Sequence, residues 1–267
     1  MSFVKVFCCQ HDIVWETRRE NHATAIALLR AAQFPAGSLV LLPEMFACGY
    51  SLNLAAVAEG PGGETERFLA ATARELGIYL LGGMVGQGHP GRGRNQAVVF
   101  SPAGREIARY TKTQPFSPGG EATVFDAGTG PLLFQWGECL VSPFICYDLR
   151  FPEIARPAAR AGAQLLTYIA SWPDARLAHW VKLLQARAIE NQCWVAGVNR
   201  IGSDPQFHYS GRSLIVNPQG EIVADAGAQA GVIGAEIDLA ALTVYRLDKP
   251  FLADLRRDFV TTDAVRV

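Results

Sequence analysis

Three residues able to act as nucleophile, acid or base stand just beyond short apolar runs. "LVLLPEMF" places Glu44 after one run and a proline, "REIARYTKTQPF" places Lys112 beyond another, and "LVSPFICYD" places Cys146 at the end of a third. Reactive groups gather where strands run out into loops, because a rigid scaffold aims them there. Three strand ends can therefore converge on one pocket. Each residue alone also has an ordinary reading. A single cysteine in an apolar run is usually core, Glu44 can cap or form a salt bridge, and Lys112 can be solvated surface. A free thiol titrates near ~8.5, so a nucleophilic Cys146 needs a neighbour that activates it.

The elements that would position these groups are visible as apolar runs with turn signals between them. "FVKVF" (3–7), "SLVLL" (38–42), "IYLLGGMV" (78–85), "LVSPFI" (140–145), "QLLTYI" (164–169) and "CWVAGVN" (193–199) read as buried strands. Pro143 inside the fourth run suggests a local bulge or edge. Helical periodicity occupies 17–32, 63–77 and 177–192, and Gly77 suits a C-cap. Strands alternating with helices argue for a layered α/β domain. One echo stands out. "VVFSPAGREIA" (98–108) and "LIVNPQGEIVA" (214–224) both read strand, Pro-x-Gly turn, strand. They are either two ordinary hairpins or the marks of two related halves, each contributing a sheet to a sandwich with helices outside. No Pro/Gly/Ser-rich linker divides residues 1–267, so a single domain is expected.

Composition narrows the function classes. The chain has 267 residues, 49% of them hydrophobic and 18% charged, with a formal net charge of −1. It can bury a sizeable core, and its basic residues form no stripe suited to nucleic acid. The amino-terminal "MSFVKVFCCQHDIVWE" makes a poor signal peptide, and no apolar stretch approaches the ~18 residues of a membrane span. The six cysteines form no C-x-x-C pair. A cytoplasmic protein without structural zinc or membrane partner is the expectation.

The motifs "LLPEMFACGY", "RYTKTQPFSPGGE" and "ICYDLRFPE", in that order, resemble the nitrilase (carbon–nitrogen hydrolase) superfamily with its Glu–Lys–Cys triad, closest to the omega-amidase-like branch. The resemblance continues through 170–204 and 209–222 and so covers nearly the whole chain. It implies a four-layer α-β-β-α sandwich. It also implies that Cys146 is the nucleophile, that Glu44 moves its proton, and that Lys112 stabilises the oxyanion with the backbone N–H of Tyr147. Glu121, in "SPGGE", corresponds to a second glutamate that orients the lysine. "YDLRFPE" becomes the turn into a helix that exposes the thiol, with Asp148 capping it. Many relatives carry a histidine where this chain reads "KTQPF", a departure that touches specificity more than catalysis. No cofactor or metal is called for.

The implied substrate is a small carboxylate-bearing amide, such as 2-oxoglutaramate or 2-oxosuccinamate. Its distal carboxylate needs a cation, and arginine offers a bidentate fork. Arg150 is the first candidate and Arg176 the second, unless either is spent on an ion pair with Glu153 or another acid. Ser171 and Trp172 are expected to line the pocket, and Cys48 to lie near it. The resemblance further implies a homodimer stacked through the helix after Cys146 and the 177–192 helix. Rival readings are a Cys–His enzyme using His179 or His208, another amidase or N-carbamoyl hydrolase of the same superfamily, an acyl transferase, and a binding subunit that no longer catalyses.

Overall fold

The computed structural model describes residues 3–256 and the strand Val265–Arg266. The chain runs β1 (Phe3–Gln10), α1 (Arg18–Ala31), β2 (Leu39–Leu41), α2 (Leu54–Val57), α3 (Glu64–Leu76), β3 (Tyr79–Gln87), β4 (Gly93–Phe100) and β5 (Glu106–Thr111). After α4 (Glu121–Val124) come β6 (Leu132–Trp136), β7 (Cys139–Ile145), α5 (Pro152–Arg160), β8 (Leu165–Ala170), α6 (Leu177–Asn191) and β9 (Trp194–Asn199). A small hairpin, β10 (Ile201–Ser203) and β11 (His208–Ser210), precedes β12 (Leu214–Val216) and β13 (Ile222–Asp225). Then follow β14 (Gly231–Asp238), α7 (Leu239–Asp248) and β15 (Val265–Arg266).

Two large sheets result, ordered β14-β1-β2-β3-β4-β5 and β13-β12-β9-β8-β7-β6-β15. All six apolar runs singled out in the sequence become strands. Alternation along the first sheet sorts its side chains onto two faces. Cys9, Val40, Leu42, Leu80 and Val98 pack with Ala25 and Leu29 of α1 and Leu69 and Ala73 of α3. Val6, Cys8, Leu41, Leu81, Val99 and Tyr110 instead join a cluster with Phe134, Phe144 and Tyr168 of the second sheet. The same cluster takes in Ala155 and Ala158 of α5 and Trp180, Leu184 and Ala188 of α6. The layering is helix, sheet, sheet, helix, as expected.

The halves repeat one another in topology. β1, β2 and β3 are parallel neighbours, followed by antiparallel β4 and β5. β7, β8 and β9 are likewise parallel, followed by antiparallel β12 and β13. The echoed hairpins match in detail. Ser101 N donates to Arg105 O and Asn217 N to Glu221 O, while Gly104 N donates to Ser101 O and Gly220 N to Asn217 O. Both glycines have positive φ, 69° and 86°, which the turn requires and a side chain would resist. Both ladders shift register at the same place, Val99/Phe100 and Ile215/Val216. Two ordinary hairpins would not agree so far.

Pro143 pairs with Thr167 of β8 without any register shift, so the expected bulge is absent there. Its other side lies beyond the β6 ladder, which ends at Val141. The missing N–H therefore costs no ladder bond. Among the described residues no helix is long and apolar enough to cross a membrane.

Candidate active site

Glu44 follows β2 by way of Leu42 and Pro43, and its backbone lies against β3. Gly83 makes this possible. A Cβ there would come within 2.5 Å of Met45 N, 2.6 Å of Glu44 Cα and 2.7 Å of Pro43 O. Gly83 N also donates to Pro43 O at 3.2 Å. Met45 takes a positive φ of 48° as the chain turns away. Cys146 ends β7 in the same left-handed region, φ 46°, and opens a short 3-10 turn to Arg150. For a non-glycine residue this conformation is strained, and it persists only where the surroundings hold it.

Asp148 supplies that hold. Its carboxylate accepts from Ile145 N at 3.0 Å, Tyr110 OH at 2.7 Å and Gln114 N at 2.8 Å. It therefore does more than the expected cap, tying the Cys146 turn to β5 and to the loop after Lys112. Burial pushes its pKa up to about 6, against the pull of the Tyr110 hydroxyl.

Lys112 lies just beyond β5, 1% exposed. Its Nζ is 2.9 Å from Oε1 of both Glu44 and Glu121, which are 0% exposed. Asn95 of β4 ties the cluster together. Its Nδ2 donates to Glu44 at 2.7 Å and Glu121 at 3.2 Å, and its carbonyl accepts from Lys112 N at 2.9 Å. The second oxygens are also used: Ser171 N reaches Glu44 Oε2 at 2.9 Å, and Phe116 N reaches Glu121 Oε2 at 2.5 Å. Burial works against the Lys112 charge, but Glu121 and Glu44 outweigh it and hold its pKa well above the usual lysine range. Burial, then Glu44, pushes the Cys146 thiol well up, with Lys112 opposing. Burial thus favours the thiol over the thiolate, so a nucleophilic role for Cys146 would require a base to take its proton.

Cys146 and Lys112 line an open cleft of about 370 Å³, including space continuous with solvent. Tyr147, Arg150, Ser171, Trp172 and Arg176 line it too. Glu44 and Glu121 lie beneath, reached through Lys112. The Arg150 guanidinium stacks 4.7 Å from the Trp172 ring centroid, and that of Arg176 lies 5.5 Å from Phe116. Among the described residues neither arginine is paired with a carboxylate, Glu153 included. Trp172 is both wall and core, only 2% exposed, with its indole N–H donating to Arg176 O at 2.8 Å.

Other expectations fare differently. Cys48 is buried away from the cleft lining, its Sγ directed to Gly49 O at 3.4 Å, and burial raises its pKa to about 12. Neither His179 nor His208 hydrogen-bonds Cys146. His179 Nδ1 lies 3.4 Å from Arg150 Nη1, while His208 Nδ1 lies 2.9 Å from Ser203 Oγ. The polar bond from Cys146 Sγ runs to Ser171 O, at 3.9 Å. Among the described residues no group of His, Cys, Asp and Glu is arranged to hold a metal ion.

Asn95, Gly83 and the cleft aromatics Tyr50, Phe116, Phe207 and Tyr209 are site residues that the sequence alone does not single out. Gly83 had a signal. A Gly-Gly pair inside an apolar strand marks the close approach of another backbone. Tyr50 and Phe116 lie within "LLPEMFACGY" and "RYTKTQPFSPGGE", and Tyr209 opens the stretch 209–222, but their residue types alone assign them no role.

Comparison with known proteins gives a consistent result. Residues 5–247 match the family described as carbon-nitrogen hydrolase. The chain is 36% identical to the 2-oxoglutaramate amidase of Bacillus subtilis (strain 168), over 95% of this chain and 98% of that one. It is 38% identical to omega-amidase YafV of Escherichia coli (strain K12), over 95% and 97%. Among solved structures, XC1258 from Xanthomonas campestris, described as a CN-hydrolase superfamily protein with an arsenic adduct in its active site, superposes with a TM-score of 0.89. It is 33% identical over 96% of this chain and 98% of that one.

Gly83→Ala tests how Glu44 is positioned. The new methyl meets backbone that cannot rotate away, so the Pro43–Met45 segment must shift. The expected result is a loss of stability of about 1–3 kcal/mol together with a fall in turnover much larger than any change in KM. Unchanged denaturation midpoint and turnover would show that this close approach carries no weight.

Proposed function

The chain belongs to the carbon–nitrogen hydrolase family, and on that basis we propose that it hydrolyses a small carboxylate-bearing amide through a thioester on Cys146. The favoured substrate is a dicarboxylate monoamide such as 2-oxoglutaramate or 2-oxosuccinamate, giving the dicarboxylate and ammonia. One observation carries most of the weight: a buried ammonium, Lys112, bound to two buried carboxyl groups beneath the cleft into which Cys146 opens. A structural ion pair has no need to reach a strained cysteine at a strand end.

In this reading Glu44 takes the Cys146 proton as sulfur attacks the amide carbon. Lys112 and the backbone N–H of Tyr147 donate to the oxygen as it gains charge. Each such donor lowers a barrier by about 2.7–4 kcal/mol. The C–N bond then breaks, Glu44 returns the proton to the departing nitrogen, and ammonia leaves. Water attacks the thioester and gives its proton to Glu44. The C–S bond breaks, and the sulfur regains its proton. Glu121 holds Lys112 in place and is itself anchored by Phe116 N. The distal carboxylate meets Arg150 or Arg176, whose guanidinium groups have no carboxylate partner among the described residues, and Trp172 forms the apolar wall.

We further propose that the protein works in the cytoplasm as a homodimer joined through α5 and α6. Ile189 of α6 is 49% exposed in the single chain, which is compatible with a covered surface. Sedimentation equilibrium should give twice the 28.9 kDa chain mass, and a single-chain mass at micromolar concentration would refute the dimer.

Cys146→Ala should keep its fold and lose nearly all amide hydrolysis, because the nucleophile is gone while the pocket remains. Wild-type protein quenched during turnover should carry an acyl mass adduct on the Cys146 peptide. Ammonia release by Cys146→Ala would sink the mechanism.

Substrate choice is read from a panel of amides, nitriles and N-carbamoyl compounds assayed for ammonia or acid release. Carboxylate-bearing amides should lead. Arg150→Met should raise KM for them about 10-fold or more, the expected loss of a charge-assisted contact, while neutral aliphatic amides change little. A wild-type preference for neutral amides would defeat the omega-amidase reading and leave the triad untouched. An unaltered KM in Arg150→Met would pass the role to Arg176.

A further inference from the structure

One buried polar group lining the cleft is bonded to nothing among the described residues. Tyr50 follows the turn that carries Glu44, in which Cys48 N and Gly49 N both donate to Met45 O. Its side chain is 7% exposed and lines the cleft with Cys146 and Lys112. Among the described residues its hydroxyl has no hydrogen-bond partner. Buried hydroxyls are rarely left so, and an exception needs a reason. The oxygen sits over the loop after Lys112, where a Cβ on Gly119 would come within 2.6 Å of it. Burial, then Glu121, keeps the phenol protonated far above its ordinary range, so it remains a neutral group able to donate and to accept.

What it bonds follows from counting the groups at the reacting end. A carboxamide presents one oxygen, which accepts, and an –NH2, which donates twice. Lys112, Arg150 and Arg176 only donate. The Ser171 hydroxyl is turned to the Glu44 carbonyl at 3.4 Å. The Glu44 carboxylate already takes three donors, Lys112 Nζ, Asn95 Nδ2 and Ser171 N. The Ser171 carbonyl faces the Cys146 sulfur and takes its S–H at 3.9 Å, whereas among the described residues the phenol oxygen of Tyr50 takes no donor.

We infer that the Tyr50 hydroxyl accepts a hydrogen bond from the –NH2 of the substrate's carboxamide, and so selects amides over esters of the same acid. The inference rests on the function proposed above and adds to it the group that recognises the leaving nitrogen. An ester of the same acid keeps the acyl chain, the distal carboxylate and the thioester, but has no N–H to offer. Tyr50 therefore bears on the acylation of amides and leaves the shared deacylation step alone.

The test compares wild type and Tyr50→Phe on a dicarboxylate monoamide and on the monomethyl ester of the same acid. Because the lost hydroxyl has no partner in the free protein, Tm should be unchanged or higher. The ratio of kcat/KM for amide to that for ester should fall about 10-fold, the worth of one such bond. Thioester hydrolysis, followed by single turnover, should be the same in both proteins. A ratio that does not move overturns the inference, whether both activities persist or both fall together. A Tm lowered by several degrees overturns it too, since the hydroxyl would then serve the fold. A wild type inert toward every amide but folded overturns the functional reading itself, and this inference with it.

Discussion

A lysine ammonium buried between two carboxyl groups is the constraint on which the rest of the site depends. Taking such charges out of water costs several kcal/mol per ion, and removing one partner from a buried pair costs about 3–5 kcal/mol. The arrangement survives only if every remaining lone pair is satisfied. Here the donors come from far apart in the chain: Asn95 from β4, Phe116 from the loop after Lys112, and Ser171 from the loop after β8. The last belongs to the second sheet, while Glu44 and Lys112 belong to the first. Glu44 is therefore desolvated and fully bonded only when the two sheets are stacked in this register. The interaction that would move protons is also one that joins the halves.

The same stacking holds two strained turns against each other. Met45 after Glu44 and Cys146 at the end of β7 both sit at φ near +47°, as 48° and 46°. Neither is a glycine, so each conformation needs compensation. At Cys146 it comes from Asp148, which bonds the turn's own Ile145 N–H and two groups from the first half, Tyr110 and Gln114. At Met45 it comes from the bare backbone of Gly83, which lets the bend close onto β3. Glu44 and Cys146 are thus placed by backbone geometry on opposite sheets, and little freedom remains for either to drift.

Much of this was legible in the sequence, and what was not has a common cause. Buried strands appear as apolar runs because burial acts on every residue of the run. The Pro-x-Gly echo appeared because a tight turn needs those residue types locally, and the matching hydrogen bonds at Gly104 and Gly220 carry that local rule into topology. Glu44, Lys112 and Cys146 were visible because chemically useful side chains stood at strand ends within motifs. Asn95, by contrast, is one polar residue in the run "RNQAVVF", and its meaning lies in two carboxylates that approach it from other elements. Asp148 looked like a cap because its nearest donor is three residues away, while its other partners lie over thirty positions distant. The α-β-β-α layering itself was available from the resemblance and the echo, and only hinted at by periodicity.

The cleft and the floor beneath it follow opposite rules. Below, among the described residues, the carboxylates and the ammonium are all paired, and Asn95 Oδ1 is an exception without a partner. Above, Arg150 and Arg176 lack carboxylate partners among the described residues, and their guanidinium groups are supported by the faces of Trp172 and Phe116. Burial and the nearness of Arg176 push the Arg150 pKa down. Two like charges held near each other over aromatic rings raise the energy of the free protein, and the proposed carboxylate-bearing substrate would relieve it. The unpartnered Tyr50 hydroxyl is the uncharged counterpart of the same arrangement. A site of this kind sacrifices stability in the free state so that ligand groups, not protein groups, complete its bonds. The paired floor keeps Glu44, Lys112 and Glu121 fixed, while the walls leave polar groups for a substrate to bond.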